Sequence, residues 1–175
     1  MSEMIRAMDL LAADPNVLFL GQSVIWPGNV IYKTISHISE SRRIELPVFE
    51  ETQMGMSLGF ALSGYVPVSI YPRYNFLLLA MNQLVNHLDK FSKISRSRVQ
   101  PKVIIRTSIG SVSPLFPGPQ HSGDFTDAFR MLLTNVEVIR LDEPDQIVPA
   151  YNLALNRTDG KSTIIAEFGD YYNEK

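Results

Sequence analysis

The segment Leu46-Pro47-Val48-Phe49-Glu50-Glu51 carries the clearest chemical signal in this chain, and it continues through Gly55 and Gly59 to Gly64. It reads as a strand end, a proline turn and a carboxylate at the start of a helix. A carboxylate held at a packed strand-to-helix turn can do general acid or base work on a group within hydrogen-bond reach. Taken alone, the ordinary reading of Glu50 is a solvated carboxylate, stabilised by the helix dipole by about 0.3–1 kcal/mol. Gly55 and Gly59 are four apart, on one helical face, where missing side chains let another helix approach closely.

Other reactive residue types are sparse. His37, His87 and His121 are far apart and form no His-x-x-x-His pair, so no metal site made by this chain is expected. For His121, in or beside a proline-bearing loop, the ordinary reading is a loop histidine held by local hydrogen bonds. With no cysteine, thiolate catalysis, disulfides and Cys-based metal sites are excluded. Neither Gly-x-Gly-x-x-Gly, Gly-Lys-Ser/Thr nor Gly-x-Ser-x-Gly occurs, which removes the usual nucleotide and hydrolase motifs.

The elements that must position these residues alternate in type. Helices are expected at Met4–Ala13, Glu50–Ser63, Phe76–Lys93, Asp124–Leu133 and Pro144–Asn156, and strands at Val17–Leu20, Arg43–Leu46, Val66–Tyr71, Lys102–Arg106, Val136–Arg140 and Thr163–Glu167. Residues 22–41 read as mostly loop, and Ser108–Gln120, with its prolines and glycines, as a long irregular loop of the kind that often carries function. The pattern predicts an α/β domain whose mainly parallel sheet is covered by helices on both faces, with ligands bound beyond the carboxyl ends of the strands.

A length of 175 residues suits one domain, 1–175, and 45% hydrophobic against 19% charged residues excludes general disorder. A net charge of -2 provides no cationic field for nucleic acid or anionic lipid. Thr52–Pro72 lacks charge for 21 residues, yet its glycines, prolines and change of period indicate a buried helix and a buried strand, not a membrane span. The N-terminus lacks the basic start and apolar core of a signal peptide, so a cytoplasmic location is expected.

These residues resemble a known family, the transketolase-like pyrimidine-binding domain of thiamine-diphosphate enzymes. Within it they resemble specifically the β subunit of the first component of pyruvate and branched-chain 2-oxo-acid dehydrogenase complexes. Its pattern of Pro-x-x-Glu at a strand-to-helix turn, then Gly-apolar-x-x-Gly, is met by Pro47, Glu50, Gly55, Gly59 and Gly64. Tyr74-Asn75-Phe76 with Met81–Asn86, then Ile104–Thr107, then His121-Ser122 with Ala128-Phe129, are similar to later family segments, so the likeness covers nearly the whole chain.

The resemblance implies that Glu50 hydrogen-bonds the cofactor's pyrimidine N1′, that Val48 offers backbone groups to the aminopyrimidine edge, and that Phe76 stacks on its ring. His121 is then the candidate for proton transfer or substrate contact. Gln22, with Ser23, stands where the family carries acidic residues after the first strand, and joins the cofactor-binding set. The family's glycine-rich loop is replaced by Ser113–Pro119, and Leu132 stands where a second histidine is expected. The family's Gly-Asp-Gly and downstream Asn, which hold the diphosphate through Mg²⁺, have no counterpart in these residues, and a single pyrimidine domain without the family's C-terminal domain is expected. Thiamine diphosphate is therefore expected to be shared with a partner chain that binds Mg²⁺ and the diphosphate. Assembly as a homodimer or heterotetramer is expected through the helix bearing Gly55 and Gly59. The alternative is a catalytically inactive structural or regulatory relic of the domain. A flavodoxin-like module is a third possibility.

Overall fold

A computed structural model of the chain describes residues 1–27, 29–111 and 116–173. In chain order the main elements are α1 (Ser2–Ala12), β1 (Val17–Gly21), α2 (Val30–Lys33), β2 (Arg43–Glu45), α3 (Glu50–Leu62), β3 (Val66–Tyr71), α4 (Tyr74–Leu77), α5 (Phe91–Ile94), β4 (Ile104–Ile109), α6 (Thr126–Leu132), β5 (Val136–Arg140), α7 (Ile147–Asn156) and β6 (Ser162–Phe168). The strands form one six-stranded sheet in the order β2-β1-β3-β4-β6-β5, parallel at every pairing.

Central strands buried on both faces need apolar residues on both faces, and β3, β4 and β6 supply them with near-continuous burial. Two cores result. One packs α1, α2 and α7 residues such as Met8, Ile31 and Tyr151 against Phe19 and Ile70. The other packs Met54, Leu84 and Phe129 against Tyr71, Ile105 and Ile164. This is the expected doubly covered α/β arrangement.

Three expectations need correction. The stretch read as one helix over Phe76–Lys93 is a chain of short pieces: α4, a 3₁₀ turn at Leu78–Ala80, a π-helical run at Gln83–Leu88 and α5. Apolar periodicity cannot distinguish these hydrogen-bond patterns, because each keeps one side facing the core. The strand read as Lys102–Arg106 is β4, which starts later and runs on to Ile109, into what reads as loop. Of that proline-bearing loop, residues 112–115 lie outside the described residues. Finally, α3 is only half buried: Glu50, Gln53, Met54, Ser57 and Leu58 face inward, while Gly59 and Leu62 face out. No helix among the described residues is long and apolar enough to cross a membrane.

Polar groups also hold the sheet to its cover. Buried Asp89 accepts from the amides of Thr134 and Asn135, fixing the turn that enters β5. Burial alone raises its pKa, but those bonds, the Thr134 hydroxyl and Lys90 outweigh it and hold the carboxyl below the usual range.

Candidate active site

Four neighbouring strands end on one side of the sheet, and each sends one candidate residue from its carboxyl end. Glu50 follows β2, Gln22 follows β1, Phe76 follows β3 and His121 follows β4. The strand order reverses between β1 and β3, which makes this the switch point where parallel α/β sheets bind ligands.

Glu50 begins α3 and is 5% exposed, so it is not the solvated carboxylate that its local sequence suggests. Gln22 Nε2 donates to its Oε1 at 3.3 Å. Its Oε2 has no hydrogen-bond partner among the described residues. Behind it, the Tyr71 hydroxyl donates to the Glu50 carbonyl at 3.2 Å. Burial pushes the Tyr71 phenol far above its ordinary value, so it remains a donor across the physiological range. One turn on, Gln53 Nε2 donates to Ser69 Oγ and to the Ile70 carbonyl, tying α3 to β3.

The loop carrying Gln22 has its own clamp. The Glu45 carboxylate, at the end of β2, accepts from the backbone amides of Ser23, Val24 and Ile25 at 2.6–2.8 Å. A carboxylate in such a concave row of amides fixes the backbone. Gly21, at φ +148°, permits the turn: a side chain there would place its Cβ 2.3 Å from the Ile70 carbonyl oxygen. Sequence reading missed Glu45, because its partners lie about 20 residues away and adjoin it only through β1–β2 pairing.

Gln22, Phe76 and His121 line a single cleft of about 360 Å³, together with Ser23, Arg73 and Pro117. The Phe76 and His121 rings lie 5.5 Å apart at 63°. His121 Nδ1 is 3.2 Å from Asn75 Oδ1; with that oxygen as acceptor, Nδ1 carries the hydrogen and Nε2 keeps its lone pair. At Gly110 the end of β4 passes so close to Ser122 that an added Cβ would sit 2.6 Å from its Cα, and this contact seats the His121 turn. Arg73 was not among the residues singled out from sequence. Val48 lies outside the cleft lining and is 70% exposed, next to Phe49 at 62%, with Trp26 also exposed at 68%. Among the described residues, Val48 makes no backbone hydrogen bond, and no cluster of three His, Cys, Asp or Glu side chains could hold a metal.

The model of the transketolase pyrimidine-binding domain matches residues 5–171. The chain belongs to this family. Within the transketolase pyrimidine-binding family it is similar to the 3-methyl-2-oxobutanoate dehydrogenase subunit beta of Mycobacterium tuberculosis, 29% identical over 75% of this chain and 38% of that protein. It is also similar to the pyruvate dehydrogenase E1 component subunit beta of Staurastrum punctulatum, 32% identical over 62% of this chain and 34% of that protein. The chain thus spans well under half the length of these relatives. Among solved structures, transketolase from Leishmania mexicana superposes on 94% of the chain, and the chain on 24% of it, with a TM-score of 0.71 at 20% identity. A split-gene transketolase, an inactive β4 tetramer, covers 95% of the chain with a TM-score of 0.64 at 16% identity, and the chain covers 49% of it. These two likenesses are of fold.

Proposed function

We propose that this chain is the pyrimidine-domain component of a thiamine-diphosphate-dependent enzyme acting on a 2-oxo acid or a ketose-like substrate. A partner chain contributes the half that binds the diphosphate through Mg²⁺. The observation that carries the reading is the buried carboxylate of Glu50, with one oxygen engaged by Gln22 and the other unpartnered, beside a cleft walled by Phe76. Such a carboxylate fits a ring nitrogen that must be hydrogen-bonded in a changing protonation state.

When bound, thiamine diphosphate supplies an acidic thiazolium carbon whose conjugate base attacks a carbonyl. The residues of this chain hold and protonate around that chemistry. Glu50 would hydrogen-bond the pyrimidine nitrogen and share its proton, with Gln22 holding the carboxylate through Oε1. Val48 has free backbone groups for the amino edge, and Phe76 presents a ring face. His121 Nε2 takes or returns a proton on the substrate side of the cleft.

The rim supports a site closed by a second chain. Val48 and Phe49, next to the buried Glu50 in the chain, leave large apolar surfaces exposed, as does Trp26 on the loop held by Glu45, and such residues are enriched where protein surfaces meet. The names of the relatives, subunits beta, and the split-gene transketolase fit the same reading. Co-purification should retrieve a chain carrying a diphosphate-binding domain, and calorimetry should then show saturable binding of Mg²⁺-thiamine diphosphate. No binding even with that partner present would overturn the proposal.

The exposed Gly59 end of the α3 glycine face, beyond the half-buried Gly55 that faces Gln83, is the proposed contact between copies or subunits. A Cβ built at Gly59 meets nothing within 4 Å, so the domain itself can accommodate a larger residue there. Gly59→Leu should therefore keep the melting temperature of the isolated chain but shift sedimentation toward monomers. An unchanged oligomer would remove α3 from the interface.

A further inference from the structure

Arg73 is the one half-buried guanidinium in the cleft wall, and it makes no hydrogen bond or ion pair with any described residue. The arginines that reach other interior surfaces are engaged. Arg42 donates to the carbonyls of Ala12, Asp14 and Val17, Arg106 pairs with Glu167, and Arg157 pairs with Glu137 and Asp159. Among the described residues no carboxylate lines the cleft, and Glu50 adjoins it through its bond from Gln22. Among its described lining residues the cleft therefore presents a fixed positive charge, an imidazole and no counter-ion.

A guanidinium left unpaired in a concave site suits an oxyanion, which its planar fork can hold through two parallel hydrogen bonds. We propose that Arg73 selects a substrate bearing an anionic group remote from the reacting carbonyl, a second carboxylate or a phosphate. The choice of remote over adjacent group follows from the energetics of decarboxylation. An arginine on the carboxylate that departs as carbon dioxide would bind the ground state more tightly than a transition state in which that charge is dispersing, and so would slow the reaction. An arginine on a distal anion binds both states alike and acts on KM. Naming a substrate here rests on the thiamine-diphosphate reading above; the anion site does not.

The first test uses the chain alone. Titration with sodium phosphate or glutarate, followed by the Arg73 Nε–H resonance, should give saturable shifts that sodium chloride at matched ionic strength does not. The shifts should weaken in Arg73→Lys and be replaced by no binding in Arg73→Gln, with both variants melting as the wild type does. In the assembled enzyme, Arg73→Gln should raise KM for 2-oxoglutarate or fructose 6-phosphate by about 10–100-fold, the loss of a charge-assisted pair, with kcat and cofactor affinity preserved. Whichever of the two substrates responds identifies the carboxylate or the phosphate as the anion. KM for pyruvate, whose only carboxylate is the departing one, should not change. Equal effects on pyruvate and the distal-anion substrates, no effect on any of them, or a loss of subunit assembly, which would place a partner's carboxylate on Arg73, each overturns the inference. Failure of the wild-type assembly to bind thiamine diphosphate would instead overturn the functional reading, leaving the phosphate and glutarate result to stand or fall separately.

Discussion

Glu50→Gln is expected to lower kcat of the assembled enzyme by about 10²–10⁴-fold, the span over which a positioned general acid or base contributes. The substitution keeps size and an acceptor oxygen, so the bond from Gln22 can persist, but an amide cannot share a proton with a ring nitrogen. Because the carboxylate sits buried at a helix start, its loss also removes a dipole contribution of up to about 2 kcal/mol, too little to unfold the domain. A thermal melt near that of the wild type together with a collapsed kcat therefore reports on chemistry. Activity that survives in the reconstituted complex would make Glu50 a structural carboxylate and the domain a structural or regulatory relic. The measurement pairs steady-state kinetics with a melting curve on the same preparation.

The largest expected effect on stability lies away from the cleft. Arg106 on β4 and Glu167 on β6 form a fully buried ion pair, with Nε 2.9 and 3.2 Å from the two carboxylate oxygens. Arg106 Nη1 donates to Thr34 Oγ1 at 2.8 Å, and the Tyr151 hydroxyl donates to Glu167, so the pair links two strands with α7 and the segment after α2. Arg106→Met leaves an uncompensated buried carboxylate and should destabilise the fold by about 3–5 kcal/mol. For a domain of this size that corresponds to a fall of about 6–20 °C in Tm. Adding Glu167→Leu to Arg106→Met should recover much of the loss, because an apolar pair no longer strands a charge. A double variant as unstable as the single one would show that the remaining hydrogen bonds, not the stranded carboxylate, set the cost.

The alternation of strand and helix was legible because each buried strand needs apolar residues on both faces and each covering helix needs one apolar stripe. The turn at Glu50 was legible because proline, carboxylate and glycine lie within one short segment. What remained hidden involves distant partners. Glu45 reads as an ordinary strand-end acid until β1 and β2 pair, and Arg106 and Glu167 are 61 residues apart. Phe76 and His121 could be singled out only through the family resemblance, since composition makes one a core aromatic and the other a loop residue. Arg73 gave no local signal, because a lone arginine before a helix is commonplace until the described cleft lining proves to hold no acid. The π-helical run stayed hidden because it preserves the inward face of an ordinary helix.

The four candidate residues stand on the connections leaving four neighbouring parallel strands, Glu50 and Phe76 at the starts of helices, and the sheet sets the strand spacing of about 4.8 Å regardless of what those connections contain. Scaffold and specificity are therefore separable quantities for an engineer. The β1, β3 and β4 loops can be exchanged for those of other family members while the ladder of hydrogen bonds beneath keeps the distances between the attachment points. Retargeting this domain to a new substrate is thus a problem of loop grafting rather than of redesigning a core.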